Sequence, residues 1–207
     1  MWYDFFSLFY DYALEDLYAP YRAAVIEALQ ISPGDCILDL PCGTGQSFSL
    51  LVDAVGPNGV VFGIDNSRGM LRRAKRRIAR AGWNQIILEE APATHVNASM
   101  LERKLGRPDV DGLLCALGLT ALPRWEATFD RMFSLIRPGG RFVLLDVYGP
   151  NPSLKTHGVE LVARADLSRK AWRPLENHSS DFERIVLSSD QKTFGGELYI
   201  ACGTHTP

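Results

Sequence analysis

Two features of the chain put chemistry-bearing groups where a ligand can reach them. The first is Asp39-Leu40-Pro41-Cys42-Gly43-Thr44-Gly45, which follows an apolar run and leads at once into a stretch of helical periodicity. Glycines at 43 and 45 allow positive φ and carry no Cβ to fend off a bound group, while the helix behind them offers its unpaired amide donors. The second is Asp65, twenty residues after Gly45, at the end of the run Val60 to Asp65. An ionised Asp at the carboxyl edge of an α/β sheet accepts two hydrogen bonds side by side from the vicinal hydroxyls of a ribose. Singly, each feature has a plainer reading: turn glycines, and an acid capping a helix that starts near Ser67. Together, at this spacing, they point to a nucleoside.

Which nucleoside decides the chemistry. A dinucleotide site wants G-x-G-x-x-G, but the third position here is Phe48, whose ring is expected to obstruct close helix-to-strand packing and access for a pyrophosphate. An NAD(P)-dependent oxidoreductase therefore stands as the weaker alternative, and no G-K-[S/T] phosphate loop supports nucleotide hydrolysis. Histidines 95, 157, 178 and 205 show no paired metal-ligand spacing, so no metal site is expected.

These residues need a scaffold, and the chain supplies the pattern of one. Short apolar runs alternate with helical stripes, the signature of a parallel sheet covered by helices on both faces. Strands are expected at Cys36 to Leu40, Val60 to Asp65, Ile86 to Glu90, Val110 to Ala116 and Arg141 to Val147. Phe182 to Ser188 and Glu197 to Cys202 are separated by too few residues for a crossover helix, so they form an antiparallel pair. Apolar stripes such as Leu71, Ala74, Ile78 and Ala81 mark helices, and Arg137-Pro138-Gly139-Gly140 reads as a break before the fifth strand. A further helix is expected from Val159 to Trp172, closed by Pro174.

With 207 residues, 46% hydrophobic and 22% charged, the chain reads as one globular domain, and its apolar stretches are too short to span a bilayer. Four cysteines without a C-x-x-C pair, and a start without basic residues, suggest reduced thiols and a cytoplasmic location.

The ordered motifs resemble those of the class I S-adenosylmethionine-dependent methyltransferases, in particular the small-molecule branch with the ubiquinone and menaquinone C-methyltransferases. Ile37 to Gly45 is similar to that family's first motif, and Val61 to Ser67 with Met70-Leu71 to its second. Glu90-Ala91 stands where the family usually has Asp-Ala, Leu119 to Trp125 resembles the segment after strand four, and Leu135 to Arg141 the entry to strand five. The resemblance covers about residues 30 to 150. It implies a doubly wound, mostly parallel seven-stranded Rossmann-like sheet with an antiparallel last strand. It implies S-adenosylmethionine as cofactor, held by Tyr10, Asp39, Pro41, Gly43, Thr44, Gly45, Asp65, Asn66, Met70, Glu90, Ala91 and Cys115, and methyl transfer to a small organic or lipid-like acceptor. A non-catalytic S-adenosylmethionine-binding protein is the other alternative. Two departures are Pro41 where many relatives have glycine, and Glu90 in place of Asp.

Methyl transfer from a sulfonium needs chiefly alignment, so a dedicated catalytic residue need not exist. Where a base is used, Asp146 and Tyr148 after strand five, and His157 and His178, are the candidates; each also reads as a cap or an ordinary loop residue. The first 21 residues hold nine of the chain's 21 aromatics, so residues 1–30 are expected to form an aromatic helical lid on a methyltransferase domain of residues 31–207. Arg72, Arg73, Lys75, Arg76, Arg77 and Arg80 form the sharpest charge asymmetry in a chain of net charge -2. They read as a solvated face or as a peripheral contact with an anionic membrane; without stacking aromatics, nucleic acid is disfavoured.

Overall fold

Alternation of apolar runs and 3.6-residue stripes produces the expected layers. The structure is a computed structural model and describes residues 17–150 and 165–206. Helical residues 17–28 (α1) precede β1 (Cys36–Asp39), α2 (Phe48–Val55), β2 (Val60–Asp65), α3 (Arg68–Ala81) and β3 (Ile86–Glu90). Then come α4 (Ala98–Leu105), β4 (Val110–Ala116), α5 (Trp125–Phe133), β5 (Ile136–Tyr148), α6 (Arg173–His178), β6 (Glu183–Ser188), α7 (Gln191–Phe194) and β7 (Glu197–Thr204).

The seven strands lie in the order β3-β2-β1-β4-β5-β7-β6. Strands β1 to β5 pair in parallel; β7 runs antiparallel to both β5 and β6. The order reverses between β1 and β4, and such a reversal opens a crevice at the carboxyl ends of the strands. One face of the sheet packs Leu38, Phe62, Ile64, Leu113, Phe142 and Tyr199 against α4, α5 and α6. The other packs Ile37, Val61, Leu114, Val143 and Ile200 against α1, α2 and α3. Because successive strand residues point to opposite faces, both faces being covered explains why these runs read as continuously apolar.

Two expectations are corrected. Strand β5 begins at Ile136, not Arg141: Val110 pairs with Ile136 and Gly112 with Arg141, so residues 137–140 form a bulge inside the strand. A bulge tolerates Pro138, which has no ladder donor to lose, and Gly139 supplies the positive φ of 78°. The helix expected from 159 to 172 is not found in its described part, since residues 165–172 are turns and irregular chain; residues 159–164 lie outside the described residues. Pro174 instead opens α6, where its missing N–H costs nothing.

Candidate functional site

The first and second strands end side by side, Asp39 opposite Gly63. The turn that follows is pinned between neighbouring strands, Leu40 N–H donating to Leu114 (2.9 Å) and Cys42 N–H to Ile64 (2.9 Å). Gly43 and Gly45 both take positive φ, 56° and 77°. The acid and the turn are one unit: Asp65 accepts from the Gly43 amide (2.9 Å) on one carboxylate oxygen and from the Ser67 amide (2.8 Å) on the other. The plainer reading of Asp65 as the cap of α3 is corrected, because Ser67 Oγ is the cap and accepts from the Met70 amide (3.2 Å).

The two glycines do different work. A Cβ at Gly43 would meet no described residue within 4 Å, whereas one at Gly45 would lie 2.4 Å from the Phe48 ring. A Cβ at Gly63 would stand 2.9 Å from the same ring. Phe48 is wholly buried between them. Contrary to the expectation from the sequence, Phe48 therefore does not obstruct helix-to-strand packing: two glycines vacate the space its ring fills.

Asp39 is 2% exposed, and no described residue donates a hydrogen bond to its carboxylate. Burial, and then the neighbouring Asp65 charge, hold its carboxyl well above the usual range, opposed by Arg22. Arg22, on α1, also donates to Gln46 beside the glycine turn. A buried carboxylate without a donor, next to bare main chain, fits the cationic end of S-adenosylmethionine, and the cradle at Gly43 leaves room for it.

The remaining expected contacts are distributed unevenly. Thr44 and Met70 are buried, Pro41 is half-buried and Asn66 is exposed. Glu90 is ion-paired to Arg68 (2.8 Å) on the surface, and the Ala91 amide donates to the Asp65 carbonyl (3.1 Å), so that amide is committed within the protein. Cys115 is fully buried with its thiol pushed up by burial; it faces the turn after β4, where a Cβ at Gly118 would stand 2.9 Å from its sulfur and 2.5 Å from Pro41 Cδ. Pro41 thus backs this turn instead of bordering it as a glycine. Tyr10 and His157 lie outside the described residues.

The candidate bases are corrected in part. Asp146 does not follow β5 but lies within it, 1% exposed. Its carboxylate accepts from Thr120 Oγ1 (2.7 Å), from the Thr120 amide (3.2 Å) and from the Val147 amide (2.9 Å), which ties the loop after β4 to the sheet. Arg169 clamps the same loop by donating to the carbonyls of Leu119 (3.2 Å) and Leu122 (2.9 Å). Tyr148 ends β5 half-buried, edge-on to Trp172 at 4.9 Å. His178 lies away from the cleft, at the opposite edge of the sheet: its neighbour Ser179 bridges to His205, which pairs with Gly140 at the start of β5. Gly118, Arg169 and Arg22 carry no motif, and Thr120 lies in the segment after strand four without being singled out there; only their partners in space reveal them.

Burial pushes the Asp146 carboxyl up to about 6 against its three hydrogen bonds. A folded-state value above the unfolded one favours the neutral form, so its contribution to stability is present below about pH 4 and lost as pH rises through 6. Asp146→Asn removes that loss. Relative to the parent, the variant is expected to gain up to about 3 kcal/mol between pH 4 and 7 in urea denaturation. Parallel stability curves for the two proteins across this range would contradict the assignment.

Bare main chain, a buried acid ending β1 and a second acid ending β2 at a topological switch point define a class I S-adenosylmethionine-dependent methyltransferase fold. A methyltransferase-domain family matches residues 31–192, and the chain belongs to that family. It is 30% identical over 132 residues to a demethylmenaquinone methyltransferase of Anoxybacillus flavithermus, covering 63% of this chain and 52% of that protein. A second demethylmenaquinone methyltransferase, from Bacillus cytotoxicus, is 30% identical over 130 residues, with the same coverage. The chain spans about half the length of these relatives. Among solved structures, a putative methyltransferase from Haloferax volcanii, in complex with the Trm112 methyltransferase activator, has a TM-score of 0.75 at 14% identity, covering 99% of this chain and 98% of that one. Geranyl diphosphate C-methyltransferase from Streptomyces coelicolor has a TM-score of 0.72 at 14% identity, covering 92% and 80%.

Proposed function

We propose that the chain transfers the methyl group of S-adenosylmethionine to a small organic or lipid-like acceptor, in the cytoplasm. The observation that carries this reading is Asp39, a buried carboxylate with no donor among the described residues, beside the open backbone of Gly43 and one strand from Asp65. When bound, the cofactor supplies an electrophilic methyl on a sulfonium. Asp39 offers negative charge to its cationic end, the Gly43 backbone lets it approach, and Asp65 accepts from the ribose. Glu90, Asn66 and Met70 lie toward the adenine. The loop after β4, held by Asp146 and Arg169, walls the acceptor side, and alignment of this kind supplies roughly 7–11 kcal/mol of the barrier reduction without a dedicated base.

The names of the relatives support a small or lipid-like acceptor, since those proteins methylate demethylmenaquinone and geranyl diphosphate. Among the described residues no helix is long and apolar enough to cross a membrane. Titration calorimetry tests the cofactor: S-adenosylhomocysteine is expected to release heat and NADH none, and the reverse result overturns the reading. Turnover with phenols, quinols and amines as acceptors then separates an enzyme from a protein that only binds the cofactor.

A further inference from the structure

Seven of the chain's 22 Lys and Arg fall within the 14 residues of α3, which contain no acid. The rest of the chain is therefore strongly negative, and α3 is its one concentrated positive element. The inner stripe of this helix, Met70, Leu71 and Ala74, is buried, which fixes the orientation of the outer one. Arg72, Arg76 and Arg80 stand four residues apart along one exposed row with Lys75 beside them. Like charges at this spacing repel and oppose the helix. None of these four makes a hydrogen bond or ion pair with a described residue. The acids that line the groove beside this row are already answered: Glu89 by Lys104 (2.6 Å) and Glu90 by Arg68 (2.8 Å). Between the row and β3 runs an open groove of about 220 Å³ over Leu71 and Leu88, with Arg72 and Lys75 on its wall.

We propose that the exposed face of α3 docks the protein onto an anionic lipid surface. A self-repelling row with no internal counter-charge is neutralised by acidic headgroups, each nearby cation strengthening attachment roughly fivefold. The negative remainder of the chain is repelled by the same surface, which leaves one orientation. A plane suits this charge pattern better than a nucleic acid strand, which finds no aromatic side chain on α3 or β3 to stack its bases. Since α3 begins three residues after Asp65, docking in this orientation brings the cofactor turn beside the lipid headgroups.

Vesicle flotation of the whole chain tests this. Vesicles rich in phosphatidylglycerol are expected to retain the protein, pure phosphatidylcholine vesicles to release it, and about 0.5 M salt to abolish retention. The triple variant Arg72→Gln/Arg76→Gln/Arg80→Gln is expected to bind the anionic vesicles roughly 100-fold more weakly. It should unfold at the parent's temperature or higher, since the self-repulsion of the row is relieved, and give the parent's heat with S-adenosylhomocysteine, which shows that the fold is intact. Equal retention on both vesicle types, unchanged retention of a folded triple variant, or tighter binding to a single-stranded RNA oligonucleotide than to anionic vesicles overturns the proposal. A parent protein that floats with anionic vesicles yet gives no heat with S-adenosylhomocysteine upholds docking and refutes the cofactor assignment.

Discussion

Asp65→Ala is expected to weaken S-adenosylhomocysteine binding by roughly 2–4 kcal/mol, or about 30- to 1,000-fold, in titration calorimetry. The size follows from two losses that share one side chain. A carboxylate offers about four acceptor positions. At least two are taken, by the Gly43 and Ser67 amides, so alanine releases the glycine turn as well as removing an acceptor proposed for the ribose diol. Asp65→Asn keeps one amide oxygen as acceptor and should fall between the parent and alanine. Ser67→Ala separates cofactor binding from helix capping: it removes the α3 cap at a cost near 1 kcal/mol of stability, yet leaves the Asp65 carboxylate in place and the affinity nearly unchanged. Undiminished affinity of Asp65→Ala would remove the ribose assignment. So would a Ser67→Ala variant as weak as the alanine at 65, which would make the effect one of helix order.

Much of this scaffold was legible in the chain because periodicity is a local property. Val60–Asp65, Ile86–Glu90 and Val110–Ala116 follow directly from apolar runs bounded by turn residues, and the short link between the last two strands left only an antiparallel pairing. The bulge at 137–140 was not legible, because Arg-Pro-Gly-Gly signals a break wherever it stands; only pairing with β4 and with His205 draws it into the sheet. Phe48 shows the same limit at the site. Its ring looks obstructive in the sequence, and it becomes a filler only because Gly45 and Gly63, far apart in chain order, meet around it. Asp146 carries the pattern of a cleft acid, but Thr120, 26 residues away, turns it into a loop tether. What the chain conceals is which polar groups find partners across the sheet.

That question of partners makes Asp39→Asn the sharpest test of the site. The folded state holds the Asp39 carboxyl above its ordinary range, first through burial and then through Asp65. By linkage, the stability associated with its neutral form is present at low pH and is lost as pH rises through the folded value, so above that titration the ionised group burdens the free protein. Asparagine has nearly the same shape and no charge. The variant is expected to unfold at the same temperature as the parent or higher, the gain growing with pH. Cofactor binding should move the opposite way. The α-ammonium that S-adenosylhomocysteine shares with S-adenosylmethionine, seated on Asp39, favours its ionised form, so S-adenosylhomocysteine binds the parent more tightly as pH rises through that titration, and the variant has no such dependence. The loss from a missing hydrogen bond to a charged group is about 1.5–3 kcal/mol, roughly 10- to 150-fold in affinity. A variant that melted lower and bound the cofactor as well as the parent would make Asp39 a structural acid, and the cation seat would have to be sought elsewhere along the turn. Higher stability with weaker binding is the pattern of a residue kept for its ligand, because the free fold alone is better served by asparagine.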